Sequence, residues 1–438
     1  MVKTHQGHLQ WWHLSLLGVA CTVGTGFFLG SSIALHKSGF DVMILFVLAA
    51  LGSYFVFEAL AAMTAEQPEK GSFRTYAKQA FGPWAGFSSG WLYWSSEMLI
   101  SGSSLTALSI FSQFWFPQVP LWIFTSIYAA LGLTVVILGT KGLEKTEDIL
   151  SIIKIAAIVM FIFVALSIWL DWFDWGRSRV KPSISLYHFL SPGWRGMWTG
   201  LIYVFFAFGG IEVMGLMAAG LSEPKQVMKS GKLMLALVAF LYITSIGLLL
   251  VLVPLDQLQQ EESPFVLGLR SLGLPALEHM FNAVLIIAGF STMVASQYAV
   301  TLMLVTLAED GDAPNCFSIK IGKRQTPYPA LGLTVMGLVI SILLVAWLPK
   351  HIFEHIATAA GLVLLYTWSI ILLSAPKVVK LSVKGKIKSF IALGLIGAAV
   401  SGTWLEASSR PGFGVSLLLV VVIAAVTWFM RAKWRSSV

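Results

Sequence analysis

From Trp11 to Leu35 the chain carries no aspartate, glutamate, lysine or arginine. A run of that length crosses a bilayer as a helix. Runs of about 20 apolar residues recur down the chain, giving twelve candidate spans at 11–35, 41–63, 84–112, 120–140, 149–170, 196–220, 233–254, 278–308, 329–348, 352–374, 388–407 and 412–430. With 57% hydrophobic and only 11% charged residues, and a mean hydropathy of +0.81, the chain is read as a polytopic all-α membrane protein rather than a soluble domain. The formal charge of +8 is spread over short loops instead of gathered in one patch, which argues against a nucleic-acid partner. Cys21 and Cys316 offer no disulfide framework. Trp11 to Leu35 is too long for a signal-peptide core and lacks a clear cleavage pattern.

Lysine and arginine give the orientation. With the first residues in the cytoplasm, the inner segments hold twenty of the 29 and the outer segments eight, with Lys154 left inside a span. That bias places both termini in the cytoplasm. The segment from Asp171 to Arg195 is the one notably basic outer loop, and a missed or extra span would fall there.

Gly24-Thr25-Gly26 interrupts the first span. Glycine costs about 1 kcal/mol relative to Ala in a helix interior, and backbone freed in lipid must be met by protein, water or a ligand. Amides of Gly24, Thr25 and Gly26 would suit a carboxylate. Gly26-Phe27-Phe28-Leu29-Gly30 is equally a Gly-x-x-x-Gly packing seam. A second interruption, Phe208-Gly209-Gly210, lies in the sixth span. Paired interruptions in corresponding spans point to a transporter site between inverted halves, and this moves the reading towards a site. Spans 1–5 (11–170) and 6–10 (196–374) are read as the halves of a single domain, with two accessory helices over 388–430.

Phe206, Ala207 and Gly209 can offer unwound carbonyls to an ammonium group. Glu212 follows within a turn, as a functional carboxylate or as a pin for neighbouring backbone. Lys154 either snorkels from a helix end or, buried, exchanges protons. Glu97, Ser101 and Ser104 share one helical face, a polar path or a helix-joining stripe. His36, His351 and His355 lie near span ends; no metal-ligand spacing and no nucleophile-base arrangement stands out.

In sequence, Gly24-Thr25-Gly26-Phe27-Phe28-Leu29-Gly30, Pro68-Glu69-Lys70-Gly71-Ser72-Phe73-Arg74-Thr75-Tyr76-Ala77, Phe81-Gly82-Pro83 and Gly90-Trp91-Leu92-Tyr93-Trp94 form one ordered set. Phe206-Ala207-Phe208-Gly209-Gly210-Ile211-Glu212, Leu307-Ala308-Glu309-Asp310-Gly311-Asp312-Ala313-Pro314 and Pro327-Tyr328-Pro329-Ala330 complete it. Over nearly its whole length the chain resembles amino acid permeases of the amino acid-polyamine-organocation superfamily. The resemblance implies a LeuT-type fold of five plus five inverted spans. It implies a substrate carboxylate at Gly24, Thr25 and Gly26, an amino group at the carbonyls of Phe206, Ala207 and Gly209, and an aromatic gate at Phe206. Lys154 is similar to the fifth-span lysine of proton-coupled members, and Ser101 and Ser104 match pocket positions in some members. The chain departs from the family pattern at Ala62, Ser104, Leu221, Val294 and Leu302, where relatives often carry charged or amide groups.

The expectation is therefore a secondary transporter of the cell membrane, not an enzyme, without a metal or other cofactor. It would take up a neutral, apolar α-amino acid with a proton, its partners being that amino acid and membrane lipid. An exchanger, a permease for cationic amino acids, polyamines or γ-aminobutyrate, and a non-transporting sensor or scaffold are the alternatives.

Overall fold

The structure is a computed structural model that describes residues 9–69, 71–138, 143–172, 193–258, 262–322, 325–348 and 351–435. Lys70 and most of the basic outer loop, including Arg177, Arg179 and Lys181, lie outside the described residues.

The first span is three helical pieces: α1 (Trp11–Thr22), α2 (Thr25–Phe28) and α3 (Gly30–Ser38). The chain leaves helix at Val23, and Gly24 is extended, with φ −153° and ψ −159°. Then come α4 (Val42–Glu66), a short loop helix α5 (Phe73–Phe81), α6 (Pro83–Gln113), α7 (Leu121–Leu138) and α8 (Leu143–Trp169). The sixth span is again broken, into α9 (Gly193–Ala207) and α10 (Ile211–Met217). Next are α11 (Val227–Leu252), a short α12 (Pro264–Ser271), α13 (Pro275–Glu309), α14 (Tyr328–Trp347), α15 (Ile352–Val378), α16 (Val383–Leu405) and α17 (Arg410–Arg435).

Each of the twelve expected spans thus has a helix. Ten described stretches are long and apolar enough to cross a membrane. The difference has a physical cause. Thr25–Glu66 runs together as one stretch, leaving α1, 12 residues long, too short by itself. Helix α6 carries Glu97 and a ladder of buried serines, which lowers its hydropathy.

Position in the bundle follows from which faces are apolar. Along α14, Met336, Ile340, Leu343 and Trp347 are exposed, as are Leu418, Val421, Trp428 and Phe429 along α17. Helices apolar on their outer face sit against lipid. By contrast α9 is buried from Thr199 to Ala207, and α6 packs most extensively against α13 and α15. The two broken spans are therefore central and α6 and α13 flank them.

Ion pairs tie the ends of the bundle. Where α1 begins, Leu9 exchanges backbone hydrogen bonds with Gly220 and Ser222 beyond α10, both 3.1 Å. At that end Arg74 of α5, 3% exposed, pairs with Asp310 and Asp312 after α13, so two of the sequence motifs meet through one guanidinium. At the opposite end Lys37 of α3 pairs with Glu354 of α15 at 2.9 Å, and Glu354 also accepts from Tyr203 of α9 at 3.1 Å. Breaking a buried pair leaves an uncompensated charge and costs about 3–5 kcal/mol, whereas exposed partners contribute little. Asp312 is 7% exposed and Asp310 48%. Asp312→Ala is accordingly expected to destabilise the detergent-solubilised protein by about 3 kcal/mol and Asp310→Ala by less than about 1 kcal/mol, read from thermal unfolding.

Candidate functional site

A continuous helix through Gly24 would bond its amide to the Ala20 carbonyl. The break removes that bond, and Lys154 of α8 replaces it: Nζ donates to Ala20 O at 2.7 Å and to Thr292 Oγ1 of α13 at 3.3 Å. Lys154 is fully buried, so it does not snorkel. The amides of Gly24, Thr25 and Gly26 donate no hydrogen bond to any described residue. At a broken helix these are the orphan donors.

The sixth span mirrors this arrangement. Past Ala207 the chain turns, with Phe208 and Gly209 amides bonded back to Phe205 and Phe206 carbonyls at 2.9 and 3.1 Å. Gly210 takes φ +105°, and a Cβ there would lie 2.8 Å from Cys21 backbone. A side chain is excluded both by conformation and by the approach of span 1. The Gly209 carbonyl accepts no backbone bond among the described residues. Tyr242 of α11 joins the two breaks, its hydroxyl lying 3.2 Å from both Thr22 O and Ala207 O. Its ring stacks on Phe27, with centroids 3.7 Å apart.

Between the breaks lies a cavity of about 60 Å³. Gly24, Thr25, Gly26, Phe206 and Gly209 line it, with Glu97 from the expected polar path, and Cys21, Ile100, Val213, Thr292, Ala295 and Ser296 join them. The other candidates stand just outside. Ser104 Oγ is 3.1 Å from Thr25 Oγ1 and thereby steadies the first break. Ser101 is buried without a partner for its hydroxyl. Ala207 meets Tyr242, and Lys154 meets Ala20 behind Thr292. Glu212 Oε2 accepts from the Gly210 amide at 3.2 Å and from Trp368 at 3.1 Å, while Oε1 has no partner. Its pinning role is thus real for one oxygen only.

A larger cavity, about 550 Å³, opens at the end where α3 finishes, lined by Leu29, Ile33, Phe111, Val266 and Glu354 among others. Leu29 lies three residues beyond Gly26, so this vestibule and the inner cavity are lined from the same short stretch of span 1. Phe206 packs over Gly26 and Gly30, its Cδ1 3.3 and 3.9 Å from where their Cβ atoms would stand. The glycine seam and the cavity wall are therefore the same surface.

The amino acid permease family matches residues 13–431. The chain belongs to this family. The uncharacterized transporter YcgH of Bacillus subtilis is 56% identical to it, covering 98% of this chain and 96% of that protein. The aromatic amino acid transport protein AroP of Corynebacterium glutamicum is 29% identical, with 87% and 84% covered. Among solved structures, an Eremococcus coleocola manganese transporter mutant superimposes with a TM-score of 0.62 at 11% identity, covering 100% of this chain and 98% of that one. The permease therefore has the expected LeuT-type fold. Proteins named for cargoes as different as aromatic amino acids and manganese are thus similar to this chain, one in sequence and one in fold, and a fold does not fix the cargo.

Tyr242, Thr292 and Ser296 were not singled out in the sequence. Thr292 and Ser296 stand four apart on α13, among Ala288, Ala295 and Ala299, a small-residue stripe that was readable. Tyr242 is a single tyrosine in an apolar span, a weaker signal.

If Gly26 is where the backbones meet, size is the constraint. A Cβ at Gly26 would lie 3.0 Å from Phe206 O, whereas at Gly30 the nearest atom is 3.9 Å away. Gly26→Ala should destabilise by about 1–3 kcal/mol, and Gly30→Ala by less than about 1 kcal/mol, in the same thermal assay.

Proposed function

We propose that this permease takes up a neutral α-amino acid across the cell membrane together with a proton, by alternating access around spans 1 and 6. The carrying observation is the apposition of the free amides at Gly24 to Gly26 with the turned carbonyls of span 6 across one cavity. A zwitterion supplies the complement: a carboxylate for the amides and an ammonium for Gly209 and its neighbours. Among the described residues no lysine, arginine or histidine lines that cavity, and Ile100, Val213, Ala295 and Ala299 supply an aliphatic wall. Phe206, lying between cavity and glycine seam, is the gate. Both termini lie in the cytoplasm in this reading, so the 550 Å³ vestibule faces outside and Arg74 with its two aspartates closes the inner side. The protein moves its substrate without altering it.

Lys154 is the proton-linked group. Charged, it holds Ala20 of span 1 and Thr292 of α13 together; neutral, it loses the charge that strengthens both bonds. Moving one charge through the potential is worth about 2.3 kcal/mol per 100 mV, enough to drive accumulation.

Uptake into proteoliposomes tests this. With one proton per substrate, a one-unit pH gradient, acid outside, sustains about tenfold accumulation. Lys154→Ala is expected to abolish the gradient-driven component. Counterflow without any pH response would identify an exchanger, and absence of uptake for every amino acid would identify a sensor or scaffold.

A further inference from the structure

Glu97 stands apart from the residues that meet a zwitterion. It sits mid-way along α6, is 4% exposed, and lines the same cavity as Gly24, Thr25 and Gly26. The polar side chains facing its carboxyl are hydroxyls, Ser296 from α13 and Tyr93 one turn back on α6. Glu212 of α10 is the ionisable group that bears on it from span 6, and Cys21 of α1 and Glu212 bear on Tyr93. From α13 come Ser296 and Thr292 only, with the Lys154 ammonium behind Thr292. Among the described residues no cation lines the cavity.

A further observation marks a missing partner. Glu212 Oε1 is completely buried and has no hydrogen-bond partner among the described residues. A carboxylate in such a place needs a positive charge beside it or a proton on it. A neutral amino acid has its ammonium taken by the carbonyls of span 6 and brings no second cation. A cationic side chain would need further acceptors, yet beside Glu97 the wall continues as Ile100, Val213, Ala295 and Ala299.

We propose that Glu97 is a proton site of the substrate cavity, and that a neutral amino acid is held only while this carboxyl is protonated. The proton adds to a carboxylate oxygen of Glu97 from the vestibule side and stays on it while the cargo is bound, the carried proton being the one linked to Lys154; no bond of the substrate changes. This rests on the uptake reading above and extends it: Lys154 remains the group linked to the carried proton, and the proton on Glu97 sets whether the cavity accepts the cargo.

The test is binding to the purified full-length permease at pH 5 to 8, with L-alanine, L-leucine and L-phenylalanine as neutral probes and L-ornithine as the cationic one. For the neutral probes, affinity is expected to fall about tenfold per unit as pH rises above the carboxyl's titration. In Glu97→Gln it should vary less than twofold across the range, and Glu97→Asp should restore the slope. Ser296→Ala, which keeps the carboxyl and removes a facing hydroxyl, should keep the slope and move its midpoint, which tests the proposal even if Glu97→Gln fails to fold. A flat wild-type profile, or an unaltered slope in Glu97→Gln, overturns the proposal while leaving uptake intact. Tighter binding of L-ornithine than of every neutral probe, lost in Glu97→Gln, overturns it in favour of a cation pocket. Failure of every neutral probe to bind overturns the uptake reading and this proposal with it.

Discussion

A helix broken inside a bilayer leaves polar backbone that lipid cannot satisfy, and each unmet group costs several kcal/mol. The architecture of this permease follows from how that debt is distributed. Carbonyls released at the end of α1 go to side chains from other spans, Ala20 to Lys154 and Thr22 to Tyr242. The carbonyl at the end of α9 goes to the same tyrosine. The donors at Gly24 to Gly26 are left over, and they face a cavity rather than lipid. Helices α8 and α11 are thus held against the core by hydrogen bonds that exist only because the neighbouring helices are broken.

The sequence revealed the fold through residue types whose constraints are local. Uncharged runs read directly as spans, and glycines that weaken a helix read as breaks, because each signal lies within a few neighbouring positions. Lys154 was legible for the same reason, being a charge in an apolar run. What could not be read was mutual placement. Nothing in the local sequence says that Tyr242 reaches both breaks, that Arg74 finds two aspartates more than two hundred residues away, or that Ser104 bonds Thr25 while Ser101 bonds nothing. These depend on helix rotation and crossing, set by packing over the whole chain. The count of spans differed at α6 because serines and Glu97 that serve the interior of a bundle look unfavourable for a membrane helix in isolation.

The choice between packing seam and binding site at Gly26 dissolves in three dimensions. Close approach of spans 1 and 6 requires a residue without a side chain, and the same absence leaves the adjoining amides bare. One substitution pressure therefore preserves both properties, and glycine at this position says less about which of them matters than the sequence alone suggests.

Tyr242 carries one hydroxyl hydrogen but has two carbonyls at equal distance. It can give that hydrogen to one break at a time. An ammonium ion brings three. A cargo bearing one would act as a missing piece of secondary structure, and its departure would return the two half-helices to competing for a single proton.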